Sequence, residues 1–155
     1  MTITSDRMTS KDRMKVAAAA RAAEAAGPML SGILVIEDDP DLQWHLARML
    51  TVQGHRVVGT SSGDGALALV SQWPVDLILV DEELPGMNGL EVATRLREEH
   101  PQIPVVLMTC EATEELHIAA RVAGVVETLV KPFRSEVITE LVLRLFPGAA
   151  PEPAE

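Results

Sequence analysis

The sequence predicts an α/β fold, a doubly wound five-stranded parallel sheet flanked by five helices. Three observations predict it. Short continuous apolar runs alternate with segments whose apolar residues recur at helical spacing, the alternation repeats five times between residues 31 and 146, and polar residues stand at the carboxyl ends of the runs. Continuous apolar runs suit strands covered on both faces, as parallel strands are. Right-handed crossovers then return each strand to one sheet.

The first run, 33–36, is followed by Leu42, Leu46, Met49 and Leu50 at helical spacing. Between them Asp39-Pro40 reads as a helix N-cap with proline at the first helical position, a role that competes with metal binding for Asp39. Residues 55–60 form a weaker strand suited to an edge, and after Ser61-Ser62-Gly63 a short helix carries Ala66, Leu67, Leu69 and Val70. Residues 75–80 make the third strand. A Pro85-Gly86 turn leads from it to a helix with Leu90, Ala93 and Leu96 on one face. The fourth unit is 105–108 with Leu116, Ala119, Ala120 and Ala123, and the fifth is 125–130 with a closing helix over 135–146.

At 155 residues, 47% hydrophobic and 23% charged, the chain fits one domain with a substantial core. Residues 1–30 read as an alanine-rich extension, helical or disordered, ending at Gly27-Pro28. Residues 31–146 form the domain, and the Pro/Ala/Glu-rich stretch 147–155 reads as a disordered tail. Charged residues and prolines interrupt every apolar stretch before it could span a bilayer. Arg21 and Glu24 break the alanine run, which argues against a signal peptide, and a single cysteine excludes a disulfide framework. The expected location is therefore cytoplasmic. The net charge is -10, and from residue 31 onward eight basic residues face twenty acidic ones. That balance opposes nucleic-acid binding, which needs a basic stripe. Cys110 reads as small core filler, and His45, His55, His100 and His117, scattered over expected surface positions without ligand spacing, as structural or solvent-facing.

In a doubly wound sheet, ligands bind outside the carboxyl ends of the strands. There the sequence puts Glu37-Asp38-Asp39 after strand one, Asp81 after strand three, Thr109 after strand four and Lys131 after strand five. Converging carboxylates repel one another and call for a cation. Mg²⁺, or Mn²⁺ in its place, suits a shallow oxygen site and accepts a phosphate oxygen. Asp81 can then act as nucleophile toward a phosphoryl group, with Lys131 and the Thr109 hydroxyl meeting the charge on the transferred oxygens. From residue 31 onward Lys131 is the only lysine, a compact charge that guanidinium does not reproduce. The following Pro132 admits a cis bond that would aim the lysine inward.

Over residues 33–146 the chain resembles the response regulator receiver domain of two-component signalling. The stretch Ile33-Leu34-Val35-Ile36-Glu37-Asp38-Asp39 resembles its first strand and acidic pair. Asp76 to Asp81 with Leu84-Pro85-Gly86-Met87-Asn88-Gly89 resembles the phosphoacceptor strand and loop, and Leu107-Met108-Thr109 and Lys131-Pro132-Phe133 complete the set. The resemblance implies a flavodoxin-like receiver fold with strand order 2-1-3-4-5. It implies Asp81 as phosphorylation site, Glu37, Asp38, Asp81 and the backbone carbonyl of Glu83 as metal ligands, and Thr109 and Lys131 as phosphoryl contacts. It also implies a histidine kinase or histidine phosphotransfer protein as donor and a downstream protein target. The sequence departs from the pattern at Thr128, a switch position usually aromatic, and at Glu82-Glu83, which add negative charge beside Asp81.

No DNA-binding or enzymatic domain follows Phe146, so a stand-alone regulator that signals through its own surface is expected, with no enzymatic activity beyond its own phosphorylation and dephosphorylation. Ile118 and Val122 on the fourth helix and Ile138 and Val142 on the fifth are expected to face outward and form a partner or homodimer contact. Two alternatives compete: a degenerate receiver that binds partners without phosphorylation, and a haloacid dehalogenase-type phosphatase.

Overall fold

The computed structural model describes residues 32–147, together with Lys11 and Met14. Apart from these, the extension over 1–30 and the tail over 147–155 lie outside the described residues. Within residues 32–147, five strands and five helices alternate: β1 (Gly32–Ile36), α1 (Pro40–Val52), β2 (Arg56–Thr60), α2 (Gly63–Gln72), β3 (Leu77–Asp81), α3 (Gly89–Glu99), β4 (Val105–Thr109), α4 (Glu114–Val122), β5 (Glu127–Val130) and α5 (Ser135–Leu145). All strand pairs are parallel and the order is β2-β1-β3-β4-β5. The strand order therefore reverses at β1, and the ends of β1 and β3 lie side by side.

Every residue of β1, β3 and β4 is buried, because helices cover both faces of the sheet. One core layer packs β1 and β3 residues such as Ile33 and Leu77 against Leu46, Leu50, Ile138 and Leu141, so α1 and α5 share a face. The opposite layer packs Leu34, Ile78 and Leu107 against Ala66, Val92, Leu96 and Leu116, from α2, α3 and α4. Alternate strand residues serve the two layers, as a period of two requires.

Helix starts follow the local chemistry. Asp39 caps α1, its Oδ1 accepting from the Asp41 N–H at 3.0 Å, with Pro40 as the first helical residue. Ser62, Asn88 and Thr113 cap α2, α3 and α4 in the same way. Gly86 takes φ 81° in the turn after β3, a conformation that favours glycine.

Several expectations need correction. Ile138 and Val142 are 0% and 1% exposed and belong to the core shared with α1. The cause is that α5 lays the stripe Ile138, Leu141, Val142 on the sheet, a spacing of three and four that forms one face of the helix. Ile118 and Val122, by contrast, are 59% and 75% exposed. Cys110 is exposed rather than core filler, since β4 ends at Thr109 and the chain leaves the sheet there. His55 is buried at the start of the β2 segment rather than at the surface.

Candidate functional site

The rim at the carboxyl ends of β1, β3, β4 and β5 collects the polar residues that the strands deliver. Parallel pairing sets Ile36 opposite Val80, Asp81 opposite Met108 and Thr109 opposite Val130, so Glu37, Asp81, Thr109 and Lys131 emerge within one or two residues of the same level. Glu37, Asp81 and Thr109 are buried, and Asp38 is exposed.

Glu37, Asp38 and Asp81 each offer a carboxylate oxygen, and these oxygens lie within 4.8 Å of one another. The Lys131 ammonium lies 2.8 Å from Glu37 Oε2 and 3.1 Å from Asp81 Oδ1. Three carboxylates against one ammonium leave an excess of negative charge, which suits a hard divalent cation bound by oxygen. The cost of burying a carboxylate at this rim shows in Glu37. Burial pushes its pKa to about 7 and the Asp81 charge adds to the rise, against the lowering effect of Lys131 and the Asp39 N–H. Burial by itself would lower the Lys131 pKa, but its hydrogen bonds and charge contacts with Glu37 and then Asp81 outweigh that and raise it. Lys131 is therefore a firm ammonium. The peptide bond between Lys131 and Pro132 is cis.

Backbone anchors hold the carboxylates in register. The Glu82 N–H donates to the Met108 carbonyl at 2.8 Å, and the Gly89 N–H donates to the Glu82 carbonyl at 2.9 Å. Gly89 must be small, because a Cβ there would stand 2.2 Å from the Asp81 carbonyl oxygen. The loop bearing Glu83, which is exposed, is thus tied to β4 at one end and to the capped start of α3 at the other.

Two residues enter the site that sequence reasoning missed. Gln43 is 1% exposed and its Nε2 donates to the carbonyls of Glu37 and Thr60, each at 2.9 Å, tying together the ends of β1 and β2. The signal was present in its spacing: 43, 46, 47 and 50 make one buried stripe of α1, and a polar residue in an apolar stripe needs a partner. Glu82, read only as extra charge, accepts a hydrogen bond from the Thr109 hydroxyl. No feature of the sequence announces that contact, which joins the ends of two strands. Thr128 is half-buried on β5, opposite Leu107.

Comparison with known proteins agrees with this geometry. Over 127 residues the chain is 32% identical to the response regulator protein FleR of Pseudomonas aeruginosa, covering 82% of this chain and 27% of that protein. Over 113 residues it is 38% identical to the transcriptional regulatory protein TcrA of Mycobacterium tuberculosis, covering 73% of this chain and 44% of that protein. The chain thus spans less than half the length of these curated relatives. Among solved structures, the chemotaxis protein CheY4 of Vibrio cholerae superposes with a TM-score of 0.73 at 25% identity, over 76% of this chain and 99% of that one. Residues 33–143 match the family described as the response regulator receiver domain. The chain belongs to the response regulator receiver domain family.

Proposed function

We propose that Asp81 is the phosphoacceptor of this receiver domain and that the domain signals through the change in shape that follows. The observation that carries the reading is Lys131, whose ammonium touches both Glu37 and Asp81 at the mouth of the acidic cluster. An Asp81 carboxylate oxygen forms a bond to phosphorus while the bond from phosphorus to the donor breaks. The donor leaves as the free imidazole of a histidine kinase or histidine phosphotransfer protein, or as acetate when acetyl phosphate is used. Lys131 meets the charge on the transferred oxygens, and the Thr109 hydroxyl is the hydrogen-bond donor to them.

The donor set fits Mg²⁺, or Mn²⁺, which Glu37, Asp38, Asp81 and the backbone carbonyl of Glu83 would hold. When bound, such an ion neutralises phosphate oxygens and orients the phosphoryl group. Among the described residues no helix is long and apolar enough to cross a membrane, and a cytoplasmic location fits a donor kinase that spends ATP there. Output is proposed to run through the exposed apolar residues Ile118 and Val122 of α4, Val130 of β5 and Val137 of α5, toward a protein target or a second copy.

Intact-mass measurement after incubation with acetyl phosphate and Mg²⁺ tests the reading. Wild type gains one phosphoryl group and Asp81→Asn gains none; equal labelling of both, or of neither, overturns it. A receiver that works without phosphorylation is the second reading, favoured by the replacement of the usual aromatic at Thr128. The phosphatase alternative does not fit the family, and Asp81 stands on β3 whereas that chemistry needs its nucleophile on the first strand.

A further inference from the structure

At the end of β4 the Thr109 hydroxyl donates to Glu82 Oε2, while the Glu111 N–H donates to Thr109 Oγ1 at 3.1 Å. A threonine hydroxyl has one proton to give. Its other acceptor is the Glu111 carbonyl at 3.1 Å, a neutral group that a carboxylate outcompetes. The donor expected to meet a phosphoryl oxygen is therefore already engaged by an acidic side chain from the neighbouring strand end.

We infer that Glu82 is a built-in competitor for the Thr109 hydroxyl, and that phosphorylation of Asp81 displaces the Glu82 side chain from it. The inference rests on Asp81 being the phosphoacceptor. Its physical basis is that the Thr109 hydroxyl has one proton, which the Glu82 carboxylate and a phosphoryl oxygen cannot both accept. The Glu82 backbone stays fixed at both ends, its N–H on Met108 and its carbonyl on Gly89.

Two consequences follow from one displacement. In the resting state Glu82 stabilises Thr109 in an arrangement that the transition state must give up, so Glu82 slows phosphorylation. After transfer, the released carboxylate stands at the rim beside the exposed Glu83, a local gain of surface charge that depends on phosphorylation. In a chain with threonine at 128, that side-chain movement supplies a readout that does not need a swinging ring.

The test is a double-mutant cycle on the rate of phosphorylation by acetyl phosphate with Mg²⁺, using the full chain. Glu82→Ala is expected to speed labelling roughly tenfold in the wild-type background, equivalent to about 1.4 kcal/mol. The gain shrinks at least severalfold in the Thr109→Ala background and returns with Thr109→Ser, which restores the hydroxyl. Circular dichroism checks that each variant is folded, and the serine variant keeps the cycle readable should alanine at 109 disturb the core. An equal gain in all three backgrounds would show that Glu82 acts by charge repulsion alone and would overturn the inference. The Thr109 methyl resonance provides a signature in unphosphorylated, metal-free protein: it must shift on Glu82→Ala, and an unmoved resonance overturns the contact itself. Absence of labelling in wild type and in every variant overturns the phosphoacceptor reading, a result distinct from labelling that ignores Glu82.

Discussion

Lys131 Nζ donates to Glu37 Oε2 at 2.8 Å across 94 residues of chain, joining the first strand end of the domain to the last. The same ammonium reaches Asp81 at 3.1 Å, so one side chain balances part of the charge of two carboxylates that the sheet forces together.

Removing that charge isolates its role. Lys131→Met is expected to lower the rate of Asp81 phosphorylation by about a hundredfold or more, the scale on which loss of a preorganised electrostatic donor acts. Lys131→Arg is expected to recover only part of it, because a planar fork cannot replace a point charge between two carboxylates. Rates with acetyl phosphate, read by intact mass, check both.

Glu37 makes the stability of the metal-free protein depend on pH. Its folded pKa of about 7 lies above its ordinary 4.5, so the folded state holds the proton more tightly than the unfolded state. Stability is full below the ordinary value and falls as pH rises toward 7, by at most about 1.4 kcal/mol per pH unit. Buried His55 has the opposite sign. Burial lowers its pKa from 6.5, so its contribution is full above 6.5 and is lost as pH falls below that. Urea midpoints measured with a chelator are expected to lose the downward slope up to pH 7 in Glu37→Gln, and to lose the acid-side decline in His55→Gln.

Gly89 is a steric requirement of the site. Gly89→Ala would put a methyl carbon 2.2 Å from the Asp81 carbonyl oxygen and 2.9 Å from Glu82 Cα. The expected cost is about 1–3 kcal/mol, the usual range for overpacking. Because the methyl presses on the backbone of Asp81, the proposed phosphoacceptor, phosphorylation is expected to slow as well. Denaturation curves and labelling rates on the same preparation check the two effects.

The two apolar surfaces of the fourth and fifth helices separate on mutation. Ile118→Glu, at an exposed site, is expected to change stability by no more than about 0.5 kcal/mol and to weaken any contact made by α4. Ile138→Glu, in the core beside Leu46 and Leu50, is expected to cost roughly 3–5 kcal/mol. Chemical denaturation distinguishes them, and sedimentation shows whether Ile118→Glu alters self-association.

Gln43 is expected to matter beyond its size. Gln43→Leu leaves the Glu37 and Thr60 carbonyls without the donors that join them, at a cost of about 1–3 kcal/mol. It also loosens the strand end that carries Glu37 and Asp38. A Mg²⁺ titration followed by Trp44 fluorescence is expected to show weaker binding than wild type.

Much of this protein was legible in the chain itself, because its signals are local. Apolar runs such as Ile33 to Ile36 and Leu77 to Val80 identify strands covered on both faces, and Asp39-Pro40 announces the start of α1 within four residues. The acids after β1, Asp81 after β3, Thr109 after β4 and the lone lysine of the domain after β5 could be gathered to one rim by the rule that parallel strands present their carboxyl ends together. What only the tertiary structure decided depends on contacts between elements distant in sequence. An apolar helix such as α5 does not say which of its faces meets the sheet, so the sequence alone points Ile138 and Val142 outward, whereas packing against α1 and the sheet buries them. Nor does a glutamate after a strand say whether it faces water or a neighbour: Glu82 meets Thr109 only because β3 and β4 end side by side. Sequence periodicity carries the identity of an element, whereas the partner of a given side chain is set by where another part of the chain comes to rest.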